Sequence, residues 1–451
     1  NIKITGDNSI GVLVRNGTLD YAGTTTAQGK GVAGLIVGDN GTNTATVTAK
    51  DTGTVTVNGG ASTTPAGVYS YTDAGNTIKK GSYGIVVGKN SNLLSNNGKN
   101  VDVDVNVKEA ESIGLYAGEN ATLEVGNHTV KASDGAVNYV ASDGSTINLQ
   151  GTGTNVETGN KSLLFYLGNS GTGVININGA MDANILGGST PDTRGTAFYY
   201  VGSGLYTPFD STAISNWATT NFGGTLSNLT LNMNPDSRLF IAQNVGMNLS
   251  DTVGSTVASA TGANINGSGY KTFMLYLSKL NINQDVNLDS SSDPYNELEI
   301  SNSSIENNNT RTINGTQVNQ VAMAQENNSA LYSRNKVTLT NKGAINLSGT
   351  GSTGMYAKYG EIYNDALGTI TMGDNSTAMY GTADSILSNL GTITIGSNST
   401  GVYSEGSTTQ GISNGGTIQT SGDNSVALSF NPAASVAGMA VENNGTITMT
   451  G

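Results

Sequence analysis

The sequence predicts an all-β fold, a right-handed parallel β-helix (solenoid) with about three short strands per rung. Three observations carry this: a repeat of about two dozen residues, two-residue alternation inside it, and a composition with no helix-forming stripe. Gly 62, only 12% charged and 6% aromatic residues, and abundant Asn, Thr and Ser describe short strands and turns. Apolar residues, at 36%, are few for a thick globular core, yet they run evenly from Ile2 to Met449, which argues against disorder. A length of 451 residues would ordinarily mean two or three domains. The repeat instead predicts a single solenoid over 1–451, with less regular rungs over 181–335.

The first element of each rung is a Gly-Thr-Ile strand. GAINLSG (343–349), GTITMG (368–373), GTITIG (391–396), GTIQTSG (416–422) and GTITMTG (445–451) place Ile345, Ile370, Ile393, Ile418 and Ile447 at intervals of 25, 23, 25 and 29 residues. Side chains alternate along a strand, so Ile393 and Ile395 face one way while Thr392 and Thr394 face the other. The second element is NSALYS (328–333), STGMYA (352–357), STAMYG (376–381), STGVYS (399–404) and NSVALS (424–429). The third precedes the next Gly-Thr-Ile strand: EIYND (361–365), SILSNL (385–390), GISNGG (411–416) and AVENNG (440–445).

Three such strands cannot bury an apolar face alone, so successive rungs must stack on a shared core. The corners need tight or left-handed backbone, and Gly-Asp-Asn recurs there at Gly6, Gly38, Gly373 and Gly422. The middle element continues back through IGVLV (10–14), GLIV (34–37), GVYS (67–70), GIVV (84–87), GLYA (114–117), VNYV (137–140), LFYL (164–167), FYYV (198–201) and MLYL (274–277). About 18 rungs at roughly 4.8 Å each predict a rod of about 85 Å. The chain stops at Gly451 just after the first strand of a new rung, which reads as a fragment cut from a longer protein.

Regularity breaks between Met181 and Asn335, where Pro191, Pro208, Pro235, Pro294 and the only Trp fall. LYTPFDSTAISNWATTNFGG (205–224) interrupts the strand pattern, with Asp210 or Ser211 placed to cap one short helix through Trp217. It reads as an insertion projecting from the coil. Its Tyr206, Phe209, Trp217 and Phe222 are the aromatic anchors an interface favours, or else the plug of its own small core.

A second candidate surface is a column of tyrosines in the middle strand: Tyr69, Tyr116, Tyr139, Tyr166, Tyr200, Tyr276, Tyr332, Tyr356, Tyr380 and Tyr403. Their neighbours Leu115 and Ala117, or Met355 and Ala357, have the opposite parity, so one set faces out, and the phenol suits the outside. Such a ribbon would hold a sugar polymer or a partner protein through ring faces and hydroxyls, or serve as cross-strand stacking alone. Leu13, Ile36 and Val86 stand at the same position in early rungs, which suggests partial burial there.

Charge and chemistry narrow the function. A net charge of −13 does not suit a nucleic-acid binder, which relies on clustered Lys and Arg. Cys is absent, as in a secreted protein stabilised by repetition, and no run of about 18 apolar residues spans a membrane. His128, the single His, lies in the turn-like VGNHTV and reads as solvated; with no Cys or second His it makes no zinc site, and no Gly-x-Ser-x-Gly elbow accompanies it. Two Gly-x-Gly-x-x-Gly matches, at Gly29 and Gly349, lead into strands rather than helices. Asp7, Asp39, Asp374 and Asp423 lie whole rungs apart, unlike a calcium roll, and the Thr-Ile-Thr array lapses at Gln419. No catalytic residue, metal ligand or cofactor is assigned.

Stacked Gly-Thr-Ile-Thr strands, Asn-Gly turns, absent Cys and acidic charge together resemble the passenger domains of autotransporters, the type V secreted surface proteins of Gram-negative bacteria. The resemblance covers essentially the whole chain. It implies an extracellular position on the bacterial surface, with outer-membrane anchorage through a C-terminal barrel missing from this sequence. The expected role is that of a non-catalytic adhesin fragment, binding a glycan or protein receptor on a host cell or another bacterium. One alternative is a β-helical polysaccharide lyase or hydrolase, whose densest acidic candidates are Asp285, Asp289, Asp293, Glu297 and Glu299. Another is self-association, in which Asn and Thr ladders interlock two antiparallel copies.

Overall fold

A computed structural model describes the chain except residues 40–42, 63–70, 74–75, 79–80, 169, 205, 328–335, 408–410 and 434–440, and only the backbone of 71–73 and 76–78. The fold is a parallel β-helix, arranged in two compact units. The first comprises Asn1–Val201, Ser211–Ile241 and Ser255–Phe273; the second comprises Gly202–Asp210, Ala242–Gly254 and Met274–Gly451.

In the second unit three parallel sheets supply the three elements of each rung. One runs from Val286–Asn287 to Thr446–Met449, another from Val321–Glu326 to Val426–Asn431, and the third from Thr207–Pro208 to Val441–Asn443. Ile345, Ile370, Ile393 and Ile418 stand in direct register and are fully buried, while the intervening threonines face outward, as the alternation predicts. The middle strand departs from simple alternation. Gly354 and Met355 are both buried, Tyr356 lies outside and Ala357 is buried again. A Cβ on Gly354 would lie 2.5 Å from the Ala378 carbonyl oxygen and 3.2 Å from Ile370 Cγ2. The space at this position is small, and successive strands hold only Ala322, Gly354, Ala378, Gly401 and Ala427 there.

The corners correct the expectation placed on glycine in part. The expectation holds at Gly38, with φ of 83°, but at the corners of Gly373, Gly396 and Gly422 the left-handed residue is the asparagine, with φ of 52° at Asn375, 51° at Asn398 and 56° at Asn424. Gly373 is there because a Cβ would meet the Ser348 carbonyl oxygen of the preceding rung at 2.3 Å. The serine that follows each asparagine joins rungs: the hydroxyls of Ser376, Ser399 and Ser425 accept the backbone N–H of Ser352, Ser376 and Ser399.

A column of asparagines runs inside the same unit. Asn307, Asn341, Asn364, Asn389 and Asn414 each pass a side-chain N–H to the Oδ1 of the next, ending on Asn443, at 2.8, 2.9, 2.8, 2.7 and 2.6 Å. The first five are fully buried. Their Nδ2 atoms also reach carbonyls across the turn, such as Asn341 to Thr369 at 3.1 Å. The column therefore satisfies corner backbone that would otherwise be buried without partners.

The first unit has the same three-sheet plan. Its sheets run from Ile2–Thr5 to Asn264–Asn266, from Ile10–Val14 through Thr196–Val201, and from Gly17–Tyr21 to Val174–Ile177. Inside, Tyr139, Phe165, Phe198, Phe240 and Phe273 stack with centroids 5.4, 5.7, 5.0 and 5.3 Å apart. Such pairs add about 0.5–1.5 kcal/mol each beyond area burial.

The third sheet stops at Val174–Ile177, and helix α1 (Ser211–Phe222) covers that edge. This corrects the expected projection of 205–224. The helix buries Ile214, Trp217, Ala218, Asn221 and Phe222 along one face. Asn221 donates to the carbonyls of Gly171 and Gly173 at 2.6 and 2.8 Å. Just beyond the helix, Thr225 Oγ1 accepts Ile177 N–H at 2.8 Å and Asn228 donates to Ile177 O at 2.7 Å. An open strand edge is thereby closed by side chains.

The prolines also find physical places. Pro191 and Pro294 start 3-10 turns, and Pro208 sits in the edge strand of its sheet, where no ladder N–H is needed.

Candidate recognition surface

The four aromatics of 205–224 divide between the units, Trp217 and Phe222 in the first, Tyr206 and Phe209 in the second. Trp217 is 8% exposed and Phe222 is fully buried, and both pack edge-on against the first unit's aromatic stack, Trp217 on Phe198 and Phe240, Phe222 on Phe165 and Phe198. Phe209 is buried in the second unit, and Tyr206, half-buried there, lies 3.3 Å from the Ser304 hydroxyl through its own. Burial withdraws Phe209, Trp217 and Phe222 from any role as exposed anchors.

The tyrosine column divides in the same way. Tyr69 and Tyr332 lie outside the described residues. Tyr139 is not in the column at all: it pairs with Leu115 and Phe165 and points into the core. The outward column of the first unit is Leu13, Ile36, Val86, Tyr116, Val140 and Tyr166 in register. Its central members are buried, with Ile36, Val86, Tyr116 and Val140 forming one apolar cluster with Ala33 and Ile113. Tyr166 stacks on Tyr199 at 5.7 Å, while Tyr200, one residue on, meets Trp217 edge-on at 6.2 Å. Tyr276 is half-buried.

In the second unit the column is intact as three rings. Tyr356, Tyr380 and Tyr403 are register partners, half-buried on the outer face, with centroids 5.3 and 5.2 Å apart. Interplanar angles of 46° and 10° mean the rings lie against one another, so edges and hydroxyls, not faces, line the strip. The expectation that ring faces line the ribbon therefore fails for Tyr380, which has a tyrosine on each side. Hydroxyls of Tyr380 and Tyr403 donate to the two oxygens of one carboxylate, Glu405, and Tyr356 donates to Glu326 at 3.3 Å. Burial, then the bond to Glu405, raises the Tyr380 pKa; for Tyr403 the bond to Glu405 is the larger cause. The same two bonds hold Glu405 below the usual carboxylate range. These carboxylates escaped the sequence reading, although Glu405 stands two residues after Tyr403 and therefore shares its outward parity.

Other candidates turn inward or toward backbone. His128 corrects the solvated reading: it opens the strand His128–Ser133, is 2% exposed, and occupies space that Gly153 leaves free, where a Cβ would lie 2.5 Å from Nε2. Burial lowers its pKa, and Tyr139 meets its ring edge-on at 6.0 Å. Of the acidic run, Asp285 accepts Thr312 N–H, Asp289 accepts the N–H and hydroxyl of Thr316, and Asp293 accepts Asn287 and Tyr295 N–H. At the corners Asp7 and Asp374 likewise accept N–H of Lys30 and Ser397 in the next rung. Among the described residues no group of three or more His, Cys, Asp or Glu is arranged to hold a metal ion. No family model, curated protein or solved structure matches the chain.

Proposed function

We propose that this chain is a binding protein, a non-catalytic bacterial surface adhesin that uses its β-helix to present outward side-chain columns to a receptor. The observation that supports this most is the strip of Tyr356, Tyr380 and Tyr403 with Glu326 and Glu405. Three aromatic side chains and their carboxylate partners are held in fixed register by strands whose inner residues are fully packed. Aromatic side chains preorganised on a rigid sheet lose little entropy on contact, which is what a recognition surface requires. The acidic candidates for hydrolytic chemistry are compatible with this reading, because Asp285, Asp289 and Asp293 each accept a backbone N–H and so tie strands and turns together.

Binding of the purified chain to host and bacterial cells, compared with the Tyr380→Ser variant, tests the proposal. The expected result is saturable binding that the variant weakens at least threefold while cell-surface polysaccharide stays intact. Release of reducing or unsaturated sugar from a polysaccharide panel would overturn it in favour of an enzyme.

A further inference from the structure

The tyrosine strip has two ends. The strand after Tyr403 presents Ser429 in register, a side chain that stops at its hydroxyl, and the strand before Tyr356 presents Ala324. Among the described residues each terminal ring therefore has a non-aromatic register partner on one face. The ends differ in charge. Beside Tyr356, Glu326 is followed in its column by Lys358, which offsets it. Beside Tyr403, Glu405 stands between Thr382 and Asn431, neither charged.

We propose that the open face of Tyr403, with Glu405 beside it and Ser429 and Asn431 in the next rung, receives the guanidinium or ammonium of an extended basic segment of a partner protein. This rests on the binding role proposed above and names the chemistry of its partner. A cation is drawn to the negative face of an aromatic ring. The Tyr403 hydroxyl donates to Glu405, which pushes electron density back onto the ring and keeps the carboxylate an anion. Tyr380 donates to the same group, so two neutral phenols present one negative charge at the end of the stack. Thr400 and the exposed Val426 form the neighbouring outward column and give an apolar shelf for the methylene stem of an arginine or lysine. The net charge of −13 draws a basic partner toward the chain before contact.

The test is calorimetric titration of the full 451-residue chain with hexa-arginine at low salt, alongside Tyr403→Leu, Glu405→Gln, Tyr403→Trp and Asp20→Asn variants. Asp20 is exposed and distant in sequence, so Asp20→Asn removes one charge without touching the strip. Tyr403→Leu and Glu405→Gln are expected to weaken binding at least fivefold, Tyr403→Trp to preserve it, and Asp20→Asn to leave it unchanged. Should Tyr403→Leu melt below the assay temperature, Glu405→Gln against Asp20→Asn decides alone. Equal affinity for all variants would overturn the proposal, because attraction would then be diffuse. Tighter, Tyr403-dependent binding of a neutral hexasaccharide would also overturn it, while leaving the adhesin reading in place. Failure of the broader reading shows separately, as a parent chain that binds no cell surface.

Discussion

At the scale of single residues, the interior is held by polar side chains that copy the backbone's own hydrogen bonding. Asn364 accepts from Asn341, donates to Asn389 and reaches the Gly368 carbonyl across its turn. Asn364→Ala strips Asn389 Oδ1 of its donor inside the core, so it should lower stability by about 1–3 kcal/mol. Urea midpoints of parent and variant measure this, and a change within error would mean water substitutes for the amide. His128 makes a pH prediction. Burial lowers its folded pKa below 6.5, so the unfolded chain binds the proton first as pH falls. Its contribution is fully present above that value and is lost as pH drops from 6.5 toward the depressed folded pKa. Urea midpoints at pH 7.5 and 5.0 should therefore fall further in the parent than in His128→Gln, and parallel curves would contradict the burial.

At the scale of elements, helix α1 carries the clearest lesson. A run of Pro, Trp and helix-forming signals correctly marks where the strand pattern stops, and the predicted caps Asp210 and Ser211 bracket the helix start. What the sequence does not display is direction, because the same amphipathic face packs equally well on its own core or on a neighbour's. Here Trp217 and Phe222 fill space beside Phe165, Phe198 and Phe240. Trp217→Ala should cost about 3–5 kcal/mol, read by thermal and urea unfolding. A loss below 1 kcal/mol would restore the helix as a projecting, dispensable insertion. The strands were more legible. Two-residue alternation places Ile345, Ile370 and Ile393 inside without further information. The middle strand defeats that rule, since two consecutive residues face inward, and Tyr139 is the second of its pair, in register with Leu115, while Tyr116 is in register with Val140. The small residue before each large one, as in Gly354-Met355 and Ala378-Met379, is the trace that shift leaves in the sequence.

At the scale of the whole molecule, each unit follows one plan, in which inner columns supply stability and outer columns are left to vary. The outer position that is aliphatic and buried around Ile36, Val86 and Val140 becomes an aromatic strip at Tyr356, Tyr380 and Tyr403. Stacking in register is what makes such a strip possible, and it is directly measurable. The chain has no Cys, so nitroxide labels at Thr312→Cys and Thr417→Cys report on one pair of sites. These residues are four rungs apart through Ala344, Thr369 and Thr392, although 105 residues apart in sequence. Four steps of roughly 4.8 Å place their backbones about 19 Å apart. Electron double resonance should give one narrow distance distribution close to that value, broadened only by the label linkers. A broad distribution, or a maximum beyond about twice that distance, would contradict the stacked rungs on which both the interior columns and the tyrosine strip depend.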